Sequence, residues 1–298
     1  MRRRGNFNFL DKYSWYVPGV GGMLALLAWL LLGAALGAII VAVLTLAAGQ
    51  EAALAYGTLI SYPLMFIPPM IWASVKSASA SMNSDGLKLD SNNFSPLGGA
   101  VCALLAAAGT LVTAFWADAI GALLPPMPPA FAEAMASLTN GNIWLNLLCV
   151  SIMAPLFEEW LCRGMVLRGL LGNKMSPALA IIISAVFFAL IHLNPWQAVP
   201  AFLLGLLFGY VYYKTGSLKL TMLMHCVNNT FAVAVSRVEG WEDMESWADV
   251  VPHQVYPVLL AACVIMTALV VLAFRKVSLN KEIGNFDTVP SLFSSDEV

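Results

Sequence analysis

The chain has 298 residues, of which 60% are hydrophobic and 11% charged, with a mean hydropathy of +0.79. Soluble domains carry about a quarter of their residues as charges, so this composition excludes a soluble globular protein and points to a polytopic membrane protein. A formal net charge of −2, with no basic patch or RNA-binding motif, argues against a nucleic-acid partner.

In chain order, the basic start MRRRGNFNFLDKYSWY leads into an apolar run too long for a signal-peptide core and without an A-x-A site, which reads as a first span. A helix needs about 20 apolar residues to cross the hydrocarbon core. Eight runs qualify as candidates: 18–47, 55–75, 97–120, 143–171, 176–193, 197–213, 217–236 and 254–274. The Pro-rich stretch 123–131 reads as an outer loop, and the acidic WEDMESWAD loop (241–249) falls on the same side. Past about 275 the chain turns polar, which predicts a disordered cytoplasmic tail over 275–298. The expectation is an all-α fold, a single transmembrane domain over 1–274 made of about eight helices, with both termini cytoplasmic.

The basic residues orient that bundle. With a cytoplasmic N-terminus, Arg2, Arg3, Arg4, Lys12, Lys76, Lys88, Arg168, Lys174, Lys214, Lys219, Arg275, Lys276 and Lys281 fall on the inner side, which is 13 of the 15. Arg163 and Arg237 are the other two. The five cysteines are scattered through apolar runs without metal-ligand spacing and read as small core residues.

An ionisable residue inside a span costs at least about 2.5 kcal/mol on insertion scales, so it faces a cavity or a partner. The candidates are Glu158, Glu159 and Arg163 in the fourth run, His192 at the end of the fifth, and His225 with Asn228 and Asn229 in the seventh. Residues four apart share a helix face, so Glu159 pairs with Arg163 as a structural ion pair, and Glu158 is left for chemistry. Glu158 lies 16 residues before Lys174 and His192 lies 18 after it, so in an antiparallel pair the two stand level, about 24–27 Å from the turn. His225 and Asn229 share one face of the seventh run at a shallower depth, and Asn228, about 100° away, reads as either a helix-packing polar group or a supporting contact to the site. Phe188, four before His192, packs around the imidazole. A buried carboxylate and a neutral histidine can share the deprotonation of a water, while a second histidine and a carboxamide stabilise an oxyanion. Alternatively Glu158, His192 and His225 are three ligands of a catalytic zinc whose fourth position is open to water. Spacing leaves both open.

These residues form three ordered motifs: EEWLCR matches E-E-x-x-x-R, FALIH (188–192) matches F-x-x-x-H, and HCVNN (225–229) matches H-x-x-x-N. Together they resemble the CAAX protease and bacteriocin-processing family of intramembrane proteases, also called the Abi family, over about residues 143–236. The resemblance implies that Glu158 activates water, that His192 holds the same water, and that His225 and Asn229 complete the site on the oxyanion side. It leaves zinc an open alternative to a metal-independent glutamate mechanism. Cys162 stands where relatives often carry an aromatic residue. Short loops and a compact chain look prokaryotic, which implies a multi-pass protein of the bacterial inner membrane and a membrane-associated peptide or protein as substrate, not a prenylated one. Two other readings use the same residues: a non-proteolytic membrane scaffold, regulator or bacteriocin-immunity protein of the same family, and a proton-coupled transporter. Oligomeric state is not legible in the chain.

Overall fold

The computed structural model describes residues 9–82, 86–129, 131–132, 141–241, 244 and 246–279. Each of the eight apolar runs folds as one helix: α1 Val20–Ala48, α2 Gln50–Ala80, α3 Gly99–Gly121, α4 Ile143–Gly172, α5 Pro177–Leu190, α6 Pro195–Thr215, α7 Leu218–Val235 and α8 Tyr256–Arg275. No strand occurs among the described residues. Six of the eight, α1 to α4, α6 and α8, are long and apolar enough to cross a membrane. The 14 residues of α5 reach about 21 Å at 1.5 Å per residue, short of a hydrocarbon core of about 30 Å. The 18 residues of α7 include Lys219, His225, Asn228 and Asn229, which dilute its apolar character. The protein is thus an all-helical, multi-pass membrane bundle.

Boundaries follow local chemistry. Pro177 and Pro195 open α5 and α6 at the first helical position, where a missing N–H costs nothing. The Asn194 side chain caps α6 by accepting from the Trp196 N–H at 3.0 Å. Gly216, at φ 64°, ends α6 in the left-handed region. Ser217 then caps α7 by accepting from the Leu220 N–H at 3.3 Å. Asp90 reinforces that end, bonding the Lys219 N–H at 3.2 Å and the Lys219 ammonium at 2.9 Å.

The α1–α2 hairpin packs through small residues. A Cβ on Gly33 would stand 2.5 Å from the Met65 carbonyl oxygen and 2.7 Å from that of Leu64, and one on Gly37 would stand 3.0 Å from Ser61. The N–H groups that an α-helix would return to Leu64 and Met65 belong to positions 68 and 69, and both are prolines. Two carbonyls without a helical partner therefore face the bare Cα of Gly33, a geometry suited to Cα–H···O contacts. Gly33→Leu is expected to lower stability by about 1–3 kcal/mol through overpacking, read as a lower midpoint of thermal unfolding in detergent, whereas Gly21→Leu, in open space, should leave the midpoint unchanged.

Helices α5, α6 and α7 pack on α4, and behind them α3 packs on α6 and α7 while α8 packs on α3 and α6. The Thr113 and Thr267 hydroxyls lie 3.1 Å apart and the Trp116 indole N–H donates to Thr267 at 3.0 Å, tying α3 to α8. The segment 86–98 straps across the end of the bundle. Its Leu87 and Ser91 N–H groups donate to Ser14 and Gly216 carbonyls at 2.6 and 2.9 Å, and the Leu89 carbonyl accepts from the Tyr212 hydroxyl at 2.7 Å.

Two of the basic residues counted on the inner side are core residues. Arg168 is fully buried and spends its guanidinium on backbone carbonyls, those of Gly164, Leu87 and Tyr16, each at 2.6 Å. It clamps α4 to the N-terminal turn Phe9–Tyr13 and to the strap. Next to that clamp, burial pushes the Tyr13 phenol up to about 12. Lys214 is likewise buried at the end of α6. Past α8, Val277 is buried, Ser278 donates its N–H to the Ser95 carbonyl at 3.3 Å and its own carbonyl accepts from Asn93 at 2.6 Å. The start of the expected tail is therefore docked, and its remainder, 280–298, lies outside the described residues.

Candidate active site

The site is built on α4, which is not a uniform α-helix. It opens to π register over Leu147–Met153, returns to α over Ala154–Glu159, and opens again over Trp160–Leu167. Pro155 cannot return an N–H to Ser151, which removes one α-type bond where the first π stretch gives way. Wide turns of this kind mark helices that carry function. All eight residues of the second π stretch are buried, so this part of α4 is enclosed on every side. Two acidic groups sit at the junction of the registers, Glu158 at 9% exposure and Glu159 at 0%.

Glu159 is held from two sides. Its Oε1 accepts from Arg163 Nη1 at 2.9 Å and from His225 Nδ1 at 3.0 Å. Arg163 continues outward, donating from Nη2 to the Gly205 carbonyl at 3.2 Å, with its guanidinium carbon 4.5 Å from the centre of the Phe188 ring and 5.3 Å from that of Phe208. The pair expected from four-residue spacing is thus a triad, Arg163–Glu159–His225, that ties α4 to α6 and α7. Phe188 packs edge-on against both imidazoles, 5.0 Å from His192 and 5.5 Å from His225.

Glu158 faces the other way. One carboxylate oxygen, Oε1, accepts from the Tyr62 hydroxyl of α2. The other, Oε2, is buried without a hydrogen-bond partner and lies 4.0 Å from His192 Nε2. His192 follows the end of α5, where Leu193 at φ 52° turns the chain toward the Asn194 cap. His192 Nδ1 is 2.7 Å from the Phe188 carbonyl, which can only accept. Nδ1 therefore carries a hydrogen, and in the neutral ring Nε2 presents its lone pair to Glu158. Two acceptors 4.0 Å apart cannot bond each other, but a water donating one hydrogen to each spans that distance.

Asn229 donates from Nδ2 to the Val150 carbonyl at 2.6 Å, fastening α7 to the first π stretch. Asn228 donates in turn to Asn229 Oδ1 at 3.0 Å and fixes the orientation of that amide. The structure therefore brings Glu158 and His192 into direct apposition, while His225 and Asn229 are bound to α4 through Glu159 and Val150. Exposed His253 lies outside this group.

The zinc alternative needs ligand atoms about 2.0–2.3 Å from one centre. Among the described residues no group of three His, Cys, Asp or Glu side chains is arranged to hold a metal ion. As they stand, Glu158, His192 and His225 are not gathered around one such centre.

Tyr62 was not among the sequence candidates. It lies in an apolar stretch, SYPLMF, where a tyrosine reads as packing or as an interfacial anchor. Only its position four residues before Phe66, whose ring stacks on Phe157 at 5.2 Å, places its hydroxyl beside α4, and no spacing rule foretells that contact.

Compared with known families, residues 140–231 match the one described as Type II CAAX prenyl endopeptidase Rce1-like. This is the family grouping that the three motifs resemble. The match takes in α4, α5, α6 and most of α7 and leaves α1, α2, α3 and α8 outside it. No curated protein and no solved structure matches the chain.

Proposed function

With residues 140–231 matching the Type II CAAX prenyl endopeptidase Rce1-like family, we propose that the protein is an intramembrane endopeptidase that hydrolyses a peptide bond of a membrane-associated peptide or protein by glutamate-activated water. The observation that carries this reading is the 4.0 Å gap between Glu158 Oε2, buried and without a partner, and His192 Nε2. A water in that gap donates to both, which aims an oxygen lone pair at a substrate carbonyl. On attack the water oxygen bonds the carbonyl carbon and Glu158 takes the proton. The carbonyl oxygen becomes an oxyanion on the side of His225 and Asn229. His225, held through Nδ1 by Glu159, donates from Nε2 in its protonated form, and Asn229 donates from the amide hydrogen not used by Val150. Glu158 then passes its proton to the leaving nitrogen as the C–N bond breaks, which returns the carboxylate to its starting state.

The side chains present support a mechanism without a metal. The purified protein is expected to cleave a membrane-peptide library at a rate unchanged within about twofold by phenanthroline or EDTA, because no step above uses an ion. A rate abolished by chelator and restored by zinc would overturn the metal-independent mechanism. The short loops and compact chain support residence in the inner membrane of a bacterium. The substrate is expected to appear as peptides lost from the membrane peptidome when Glu158→Gln replaces the wild type, and peptidomes that do not differ would count against proteolysis.

A further inference from the structure

We propose that Tyr62 is a positioning residue for the reaction, one that the matched segment 140–231 does not contain. The inference rests on the glutamate reading above. A carboxylate has two equivalent oxygens and turns freely about its last torsion, so a general base needs something to decide which oxygen meets the water. The Tyr62 hydroxyl donates to Glu158 Oε1 and so commits Oε2 to the His192 side. Among the hydrogen bonds of the described residues, this is the one the Glu158 side chain makes.

The tyrosine is itself held in place. Its ring packs 5.5 Å from Phe66, which stacks on Phe157, the residue before Glu158, at 5.2 Å and an interplanar angle of 11°. Phe66 is fully buried. Pro63, directly after Tyr62, and the close approach of Gly33 and Gly37 fix α2 against α1. The α1–α2 hairpin thus delivers a hydroxyl to the general base, which gives this otherwise separate unit a role in the chemistry. A tyrosine that orients the base acts on the step in which the water loses its proton and leaves substrate binding untouched.

The test is Tyr62→Phe, which removes one oxygen and keeps the ring and its packing. Cleavage of a membrane-peptide library substrate should show kcat lower by about tenfold and KM within about twofold of wild type. The midpoint of thermal unfolding should stay within about 2 °C. Phe66→Leu, which loosens the same packing, should lower that midpoint. Independently of any substrate, infrared difference spectra of the full chain, with the Glu158 carboxyl band assigned by its absence in Glu158→Gln, should show that band shifted in Tyr62→Phe. Wild-type kcat and carboxyl band in Tyr62→Phe would overturn the proposal. An inactive Glu158→Gln beside a fully active Tyr62→Phe would sink this inference alone, whereas a fully active Glu158→Gln would sink the glutamate reading itself.

Discussion

Glu158→Gln lowers cleavage by about a thousandfold to a hundred-thousandfold while leaving the fold intact, and this is the largest effect expected on activity. Glutamine matches glutamate in shape, and its carbonyl oxygen still accepts from Tyr62. What it cannot do is take a proton from water. The buried oxygen that faces His192 makes no protein hydrogen bond to begin with, so little stability depends on it. His192→Ala should cost about a hundredfold to ten-thousandfold, because the water loses one of its two anchors while the base remains. Rates of library-peptide hydrolysis, with thermal unfolding of the same preparations, check both.

The largest effect on stability is expected at Arg163. This guanidinium is fully buried and balances the equally buried Glu159 at 2.9 Å. Arg163→Met leaves that carboxylate in the bundle with only His225 beside it. Breaking a buried pair from one side costs about 3–5 kcal/mol, since the remaining charge has no water and only the His225 Nδ1 hydrogen bond to compensate it. Arg163→Lys should recover only part of this, because an ammonium lacks the planar face that lies over Phe188 and the second donor that reaches Gly205. The double variant Glu159→Gln/Arg163→Met should be more stable than Arg163→Met alone, since it no longer strands a charge. Thermal unfolding in detergent reads all three, and a double variant no more stable than the single one would contradict the account.

The parts of this molecule legible in its sequence are those set by periodicity and length. Each apolar run became one helix because a helix satisfies its backbone groups within a single segment, which a lone strand in lipid cannot. The Glu159–Arg163 contact follows from four-residue spacing on one helix. The levelling of Glu158 with His192 follows from counting helical rise on either side of one short turn. What stayed hidden depends on tertiary contacts or on departures from α geometry. The two π stretches of α4 change which residues share a face, so His225 meets Glu159 instead of standing beside Glu158. Arg168 counted only as an inner-side charge because it sits near a helix end, yet carbonyls that satisfy it come from residues 13–16 and 87, far away in the chain. Lys214 misled in the same way. Tyr62 reaches Glu158 across 96 positions, and a hydroxyl in an apolar run announces no partner.

The same division explains the match over residues 140–231. That segment holds the residues whose spacing is chemically constrained, while α1 and α2 contribute through shape and a single hydroxyl. Helices that serve by packing can vary in sequence as long as they are apolar, small where they touch, and bent in the right place.

The central claim is that Glu158 and His192 act on one shared water. The measurement that tests it most directly is a double-mutant cycle on peptide hydrolysis with Glu158→Gln, His192→Ala and the two combined. Groups that act as a unit give strongly non-additive losses, so the combined variant is predicted to be no slower than Glu158→Gln by itself. Losses that multiply would mean that the carboxylate and the imidazole work on separate steps, and the account would be wrong.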